Sequence, residues 1–235
     1  MARKRRIAVC LLVGAVVVVA QSVTHLIVTV GLGACDATGF APCPSVLDLD
    51  HSNGVSDVIS TIVIAAAAVG ATVLGARSRP PRMLTAVALA AVLFLITFDD
   101  AMHLEDNLGS SLYGVQILGT IVVAALLTIC VAASTRGGSR WLLLLGIALL
   151  ALDAKMPFLY DQLMNTVGQP ALDRGDLLYE LGVVLDEATE LTGWILVTIG
   201  LWDAALTTRP DAARDRVMRR EQHLHRGGRG GSTTV

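Results

Sequence analysis

The chain has 235 residues, 54% of them hydrophobic, 16% charged and 4% aromatic, with a formal net charge of −2 and a mean hydropathy of +0.64. Charge-free runs such as Leu11 to Ala20 and Ile117 to Ala133 exclude a soluble globular protein, which would have no matching polar surface, and point to a polytopic membrane protein. The small net charge hides a segregation of signs that sets orientation.

Basic residues occupy Arg3-Lys4-Arg5-Arg6, then Arg77, Arg79 and Arg82, then Arg136 and Arg140, and finally the tail from Arg209 to Arg229, with most acids between these clusters. By the positive-inside rule both termini and the two short basic loops are cytoplasmic, which requires an even number of spans. The expected fold is all-α, an integral membrane bundle of six transmembrane helices over 7–33, 55–76, 83–105, 112–134, 141–163 and 178–206. Residues 1–206 form one transmembrane domain and 207–235 a basic, disordered cytoplasmic tail. The expected setting is a bacterial-type plasma membrane, crossed several times. Arg174 and Lys155 alone fall outside the pattern.

Span one follows a basic segment and resembles a secretory signal, but a signal core is about 7 to 15 residues, and Ile7 to Gly33 is long enough to be retained as a membrane helix. His25, near its outer end, reads as a histidine hydrogen-bonded to a neighbouring helix. The first outer loop holds Cys35 and Cys43 among turn formers, on the side where disulfides persist, so pairing is expected; free thiols or a lipidated Cys35 are the alternatives. Cys10 and Cys130 read as small buried hydrophobes. Asp48, Asp50 and Asn53 lack the ligand register and closing glutamate of an EF-hand, and read as a solvated turn. Ser56 or Asp57 can cap span two.

Span three carries the densest chemistry, Asp99-Asp100-Ala101-Met102-His103-Leu104-Glu105-Asp106. Its apolar run from Met83 to Phe98 is about 16 residues where a span needs about 20, so Asp99 and Asp100 are drawn into the bilayer. A carboxylate there costs at least about 2.5 kcal/mol and is expected to face the bundle interior with a partner. Span four, charge-free, reads as scaffold. Span five starts at Trp141 and meets Asp153, Lys155 and Pro157 in the outer leaflet, where Pro157 should kink or end the helix. Lys155, the one basic residue expected inside the membrane, predicts an ion pair with Asp186, Glu187 or Asp99 unless a metal supplies the compensation. Span six carries Glu180, Asp186, Glu187 and Glu190 within one broad face before Gly193 and Gly200.

Depth joins these residues. At about 1.5 Å per residue from the inner boundary, Asp153 and Glu190 fall near 20 Å, Asp99 near 24 Å, and His103, Asp57 and His25 near 28 to 30 Å. Asp99, His103, Glu187 and Glu190 therefore form a candidate divalent-metal site of carboxylates and imidazole, with Asp100 and Asp153 orienting ligands or acting catalytically. A proton or cation pathway, and a buried structural network neutralised by Lys155, are the alternatives.

Asp99, Asp100, His103 and Glu105 on span three, with Asp186, Glu187, Glu190 and Gly193 on span six, resemble a type of small uncharacterised bacterial polytopic membrane protein in which one helix ends in Asp-Asp/Glu, His and an acid and the last carries a Glu pair. The resemblance implies a fold and no activity. Membrane-embedded metal-dependent lipid hydrolases of the alkaline ceramidase kind look similar in placing acids, histidine and a serine inside a bundle; their late His-x-x-x-His pair is missing here. The expected function is thus metal binding in the outer leaflet, extending to a lipid-directed metal-dependent hydrolase. A proton- or cation-coupled transporter and a noncatalytic assembly subunit are the alternatives. Membrane lipids are the expected partners, with anionic lipid at the arginine-rich tail; that tail has no aromatic residue for stacking, so no nucleic-acid partner is expected.

Overall fold

The computed structural model describes residues 2–31, 55–102, 110–135, 137–153 and 177–208. Among them the chain is all-α. Helix α1 (Ala2–Leu26) runs on through a π-helical turn, Ile27–Gly31, and is followed by α2 (Val55–Arg77), α3 (Arg82–Met102), α4 (Ser110–Ser134), α5 (Gly138–Asp153) and α6 (Leu177–Thr207). Three stretches, Arg3–Thr29, Val55–Arg77 and Arg82–Asp99, are long and apolar enough to cross a membrane. They make this a multi-pass membrane protein candidate by length and composition, in keeping with the first two predicted spans and most of the third.

Five helices close a ring in which α2 packs on α3, α3 on α4, α4 on α5, α5 on α6 and α6 on α2, while α1 lies against α6 from outside. The core is built from small residues on α2 facing larger ones on its neighbours. Ile64, Ala67, Ala68, Ala71 and Leu74 repeat at i, i+3, i+4 and i+7 and meet Leu89 and Leu93 of α3 and Val197 and Leu201 of α6. Small residues are what such helices need, since lipid leaves little hydrophobic drive between them and close backbone approach has to supply the attraction. The outward faces are apolar too, with Leu12, Val16, Ile62, Leu95 and Leu126 all more than half exposed. Cys10 and Cys130, expected to be buried, are exposed on this surface; a small apolar thiol facing hydrocarbon incurs no desolvation cost.

Helix directions alternate. Residue pairs that rise together, Ser56 with Glu187, Val63 with Thr198 and Arg77 with Ala205, set α2 and α6 parallel. Leu150 against Gly193 and Leu143 against Gly200 set α5 antiparallel to α6. The basic residues Arg3, Arg77 and Arg140 thereby come to one end of the bundle and Asp57, Asp153 and Glu180 to the other, as the positive-inside reading requires. At the basic end, Arg77 Nη1 donates to the Ala205 carbonyl oxygen at 3.0 Å, capping the last turn of α6.

The tightest crossing is α5 on α6. A Cβ added at Gly146 would lie 2.8 Å from the Gly193 carbonyl oxygen, and one at Gly193 would lie 3.1 Å from the Gly146 oxygen, backbone that cannot yield. Gly146→Val is therefore expected to lower the stability of the detergent-solubilised protein by about 1–3 kcal/mol, the usual cost of overpacking. Gly119→Ala, where an added Cβ meets nothing within 4 Å, is expected to leave the melting temperature unchanged. Equal melting curves for both variants would contradict the crossing.

Candidate functional site

Close approach at Gly146 and Gly193 brings the outer end of α5 onto the acidic face of α6. Asp153, on the last described turn of α5, is hydrogen-bonded to Asp186, and Glu187 and Glu190 lie close enough to act on it electrostatically. The second Asp186 oxygen, Oδ1, is buried without a hydrogen-bond partner.

Helical spacing distributes the remaining contacts. Glu187 turns toward α2, where Ser56 Oγ donates to Glu187 Oε2 at 2.9 Å. Ser56 itself is buried; the sequence suggests a helix cap at this position, and its hydroxyl serves α6 instead. Glu190 accepts a hydrogen bond of 3.2 Å from Trp194 Nε1 one turn on. Asp57 also acts on Glu187. The layer thus draws carboxylates from α5 and α6 and a hydroxyl from α2.

No Lys or Arg among the described residues stands at this end; the basic side chain there is His25, and it is engaged elsewhere. His25 Nε2 and Glu180 Oε2 share a hydrogen bond of 2.7 Å, with both side chains at or below 2% exposure. Thr29 Oγ1 donates to the His25 carbonyl oxygen at 2.9 Å. The expectation that His25 bonds a neighbouring helix holds, and Glu180 is the partner. At the opposite end Arg3 forks onto Asp203, with Nε donating to Oδ1 at 2.8 Å and Nη2 to Oδ2 at 2.6 Å. Ser139 Oγ adds a further hydrogen bond to the same carboxylate. Asp203, near the C-terminal end of α6, thus takes its ion-pair partner from the start of α1.

Of the expected metal ligands, Glu187 and Glu190 share the layer with Asp153. Asp99 belongs to α3, whose main packing partners are α2 and α4 rather than α6. The side chain of Asp100 lies outside the described residues, as do His103, Glu105, Asp106, Lys155, the Cys35–Cys43 pair and the tail. Among the described residues no three His, Cys, Asp or Glu side chains stand arranged to hold a metal ion. Asp186, read on the acidic face of span six, joins the layer although it is not among the expected metal ligands, and the contact of Ser56 with Glu187 escaped the sequence reading. The signal for that contact was positional, since Ser56 opens a span that runs parallel to span six.

No protein-family model, curated protein or solved structure matches this chain.

The buried His25–Glu180 bond is expected to matter for assembly. His25→Leu takes a partner from a buried carboxyl group and should destabilise the protein by about 1–3 kcal/mol, whereas His25→Leu with Glu180→Leu should restore part of that loss. The check is thermal unfolding of wild type, single and double variants in one detergent; a single variant as stable as wild type would contradict it.

Proposed function

We propose that the protein is a six-span plasma-membrane protein, with both termini cytoplasmic, whose outer-end carboxylate layer binds a cation. The supporting observation is that Asp153, Asp186, Glu187 and Glu190 gather in one layer. Like charges held together at low dielectric repel strongly, and a bound cation offsets that repulsion. The donors are all oxygens, four carboxylates and the Ser56 hydroxyl, the set that suits a hard divalent ion. Asp186 Oδ1, buried and unpartnered, is the atom that gains most.

Two narrower readings rest on the same layer. A metal-dependent lipid hydrolase would use the ion to activate water, with Asp100 and Asp153 as its catalytic candidates; its support is the depth of the layer in the outer leaflet. A proton- or cation-coupled transporter is supported by the gathering of Asp153, Asp186, Glu187 and Glu190 at one level of the bundle. Against transport, α6 continues inward from Glu190 through buried Leu191, Gly193, Trp194, Leu196 and Val197, which offer a polar path nothing. Binding requires least beyond the geometry.

Trp194, bonded to Glu190, supplies a reporter. Divalent chlorides of Mg, Ca, Mn and Zn, titrated into chelator-treated full-length protein, are expected to change tryptophan emission and raise the melting temperature by several degrees for at least one ion. Both responses should vanish in Glu187→Gln with Glu190→Gln. Absence of any response in wild type, with no metal found by elemental analysis, would overturn the proposal.

A further inference from the structure

The opposite, basic end of the bundle carries a second feature that the carboxylate layer does not use. Between α1 and α6 lies a groove of ≈ 1070 Å³ whose mouth is lined by Arg3, Arg5 and Arg6 and whose walls are formed by Ile7, Val9, Cys10, Ile199, Trp202 and Leu206. Three guanidinium groups and Asp203 stand on the terminal turns of the two helices, and the walls beyond are apolar except for Thr198. Arg3 already has its counter-charge in Asp203. Arg5 and Arg6 are exposed and form no ion pair among the described residues, so the mouth has a surplus of two positive charges.

We propose that this groove seats one anionic phospholipid of the inner leaflet, its phosphate between Arg5 and Arg6 and an acyl chain along the wall from Val9 to Leu206. Charge complementarity selects the occupant. Guanidinium groups bind phosphate through paired N–H donors, and the cytoplasmic leaflet is the anionic one, attracting basic residues at its surface. The depth also fits, because the first two helical turns of α1 and the last two of α6 meet at the headgroup boundary. Trp202 is held in place by donating from Nε1 to the Ala66 carbonyl oxygen at 2.9 Å, which fixes an amphipathic ring where interfacial tryptophans sit. The volume, at the upper end of small-molecule sites, accommodates a headgroup with part of its chains. This site stands apart from the arginine-rich tail, where anionic lipid would bind without a groove, and its failure would leave the cation proposal untouched.

The test is lipid retention by the full-length protein in neutral detergent, read by native mass spectrometry and by thermal stability. Phosphatidylglycerol is expected to bind at one copy per chain and raise the melting temperature, with phosphatidylcholine of the same acyl chains at least tenfold weaker. Arg5→Ala with Arg6→Ala should abolish that preference, and Cys10→Trp, which fills the wall while leaving the arginines, should weaken both lipids. Replacing Arg214, Arg216, Arg219 and Arg220 of the tail by Gln should change neither. The proposal is overturned if the two lipids bind alike, if the tail variant loses the preference while the Arg5/Arg6 variant keeps it, if inorganic phosphate alone reproduces the stabilisation, or if the mass shows a second copy of the chain in place of lipid.

Discussion

Polar side chains that α6 buries against its neighbours need hydrogen-bond partners, and most of these come from other helices. That constraint organises the molecule. Asp203 is answered by Arg3 and Ser139, Thr198 by the Val63 carbonyl oxygen, Trp202 by the Ala66 carbonyl oxygen, Glu187 by Ser56, Asp186 by Asp153 and Glu180 by His25. Three helices, α1, α2 and α5, are thereby tied to one. Helices α3 and α4 complete the ring, with Leu89, Leu93, Val131 and Ala132 among the buried apolar residues they contribute.

Small residues decide where those ties can form. Glycines 146 and 193 let α5 and α6 approach until backbone meets backbone, and only at that separation can Asp153, a short side chain, reach Asp186. A bulkier pair would hold the helices apart and part the two carboxyl groups. The packing surface and the polar layer are consequences of one spacing. Gly137 shows the same economy at the other end, where its positive φ of 79° turns the chain from α4 into α5 and an added Cβ would lie 3.8 Å from the Arg3 guanidinium; glycine adopts that conformation without strain.

Apolar run length and arginine placement made the helices legible, because both reflect a bilayer of fixed thickness with a charged inner face. The acids of α5 and α6 were legible for the same reason: each run was too short to span without them. What sequence could not show was azimuth. Asp99 has the right depth for Glu187, but depth says nothing of which helices pack together, and α3 packs mainly on α2 and α4. His25 and Glu180 illustrate a second failure. Reckoned from Ile7, His25 lies near 28 Å and Glu180, ten residues beyond Glu190, near 35 Å; the mismatch hides the pair. It disappears once the count starts at Arg3, level with Asp203, because α1 is helical from Ala2.

That corrected register explains how α1 belongs to the bundle at all. Its apolar length is mostly exposed, Leu12, Val13, Val16 and Val19 each above half, so apolar burial alone holds it weakly. Arg3 and His25 are 22 residues apart, about 33 Å along a helix, and Asp203 and Glu180 are 23 apart, about 35 Å. Each interval slightly exceeds a hydrocarbon thickness of about 30 Å. The two polar contacts therefore stand one near each end of α1, with Gly14 against Ile195 between them. Sliding α1 by one turn would move it about 5.4 Å along α6 and break both contacts together, while Asp203 would keep its hydrogen bond from Ser139. A lipid-facing helix gains little from burial and much from such pairing, and its position on α6 is accordingly set by four polar side chains rather than by its apolar surface.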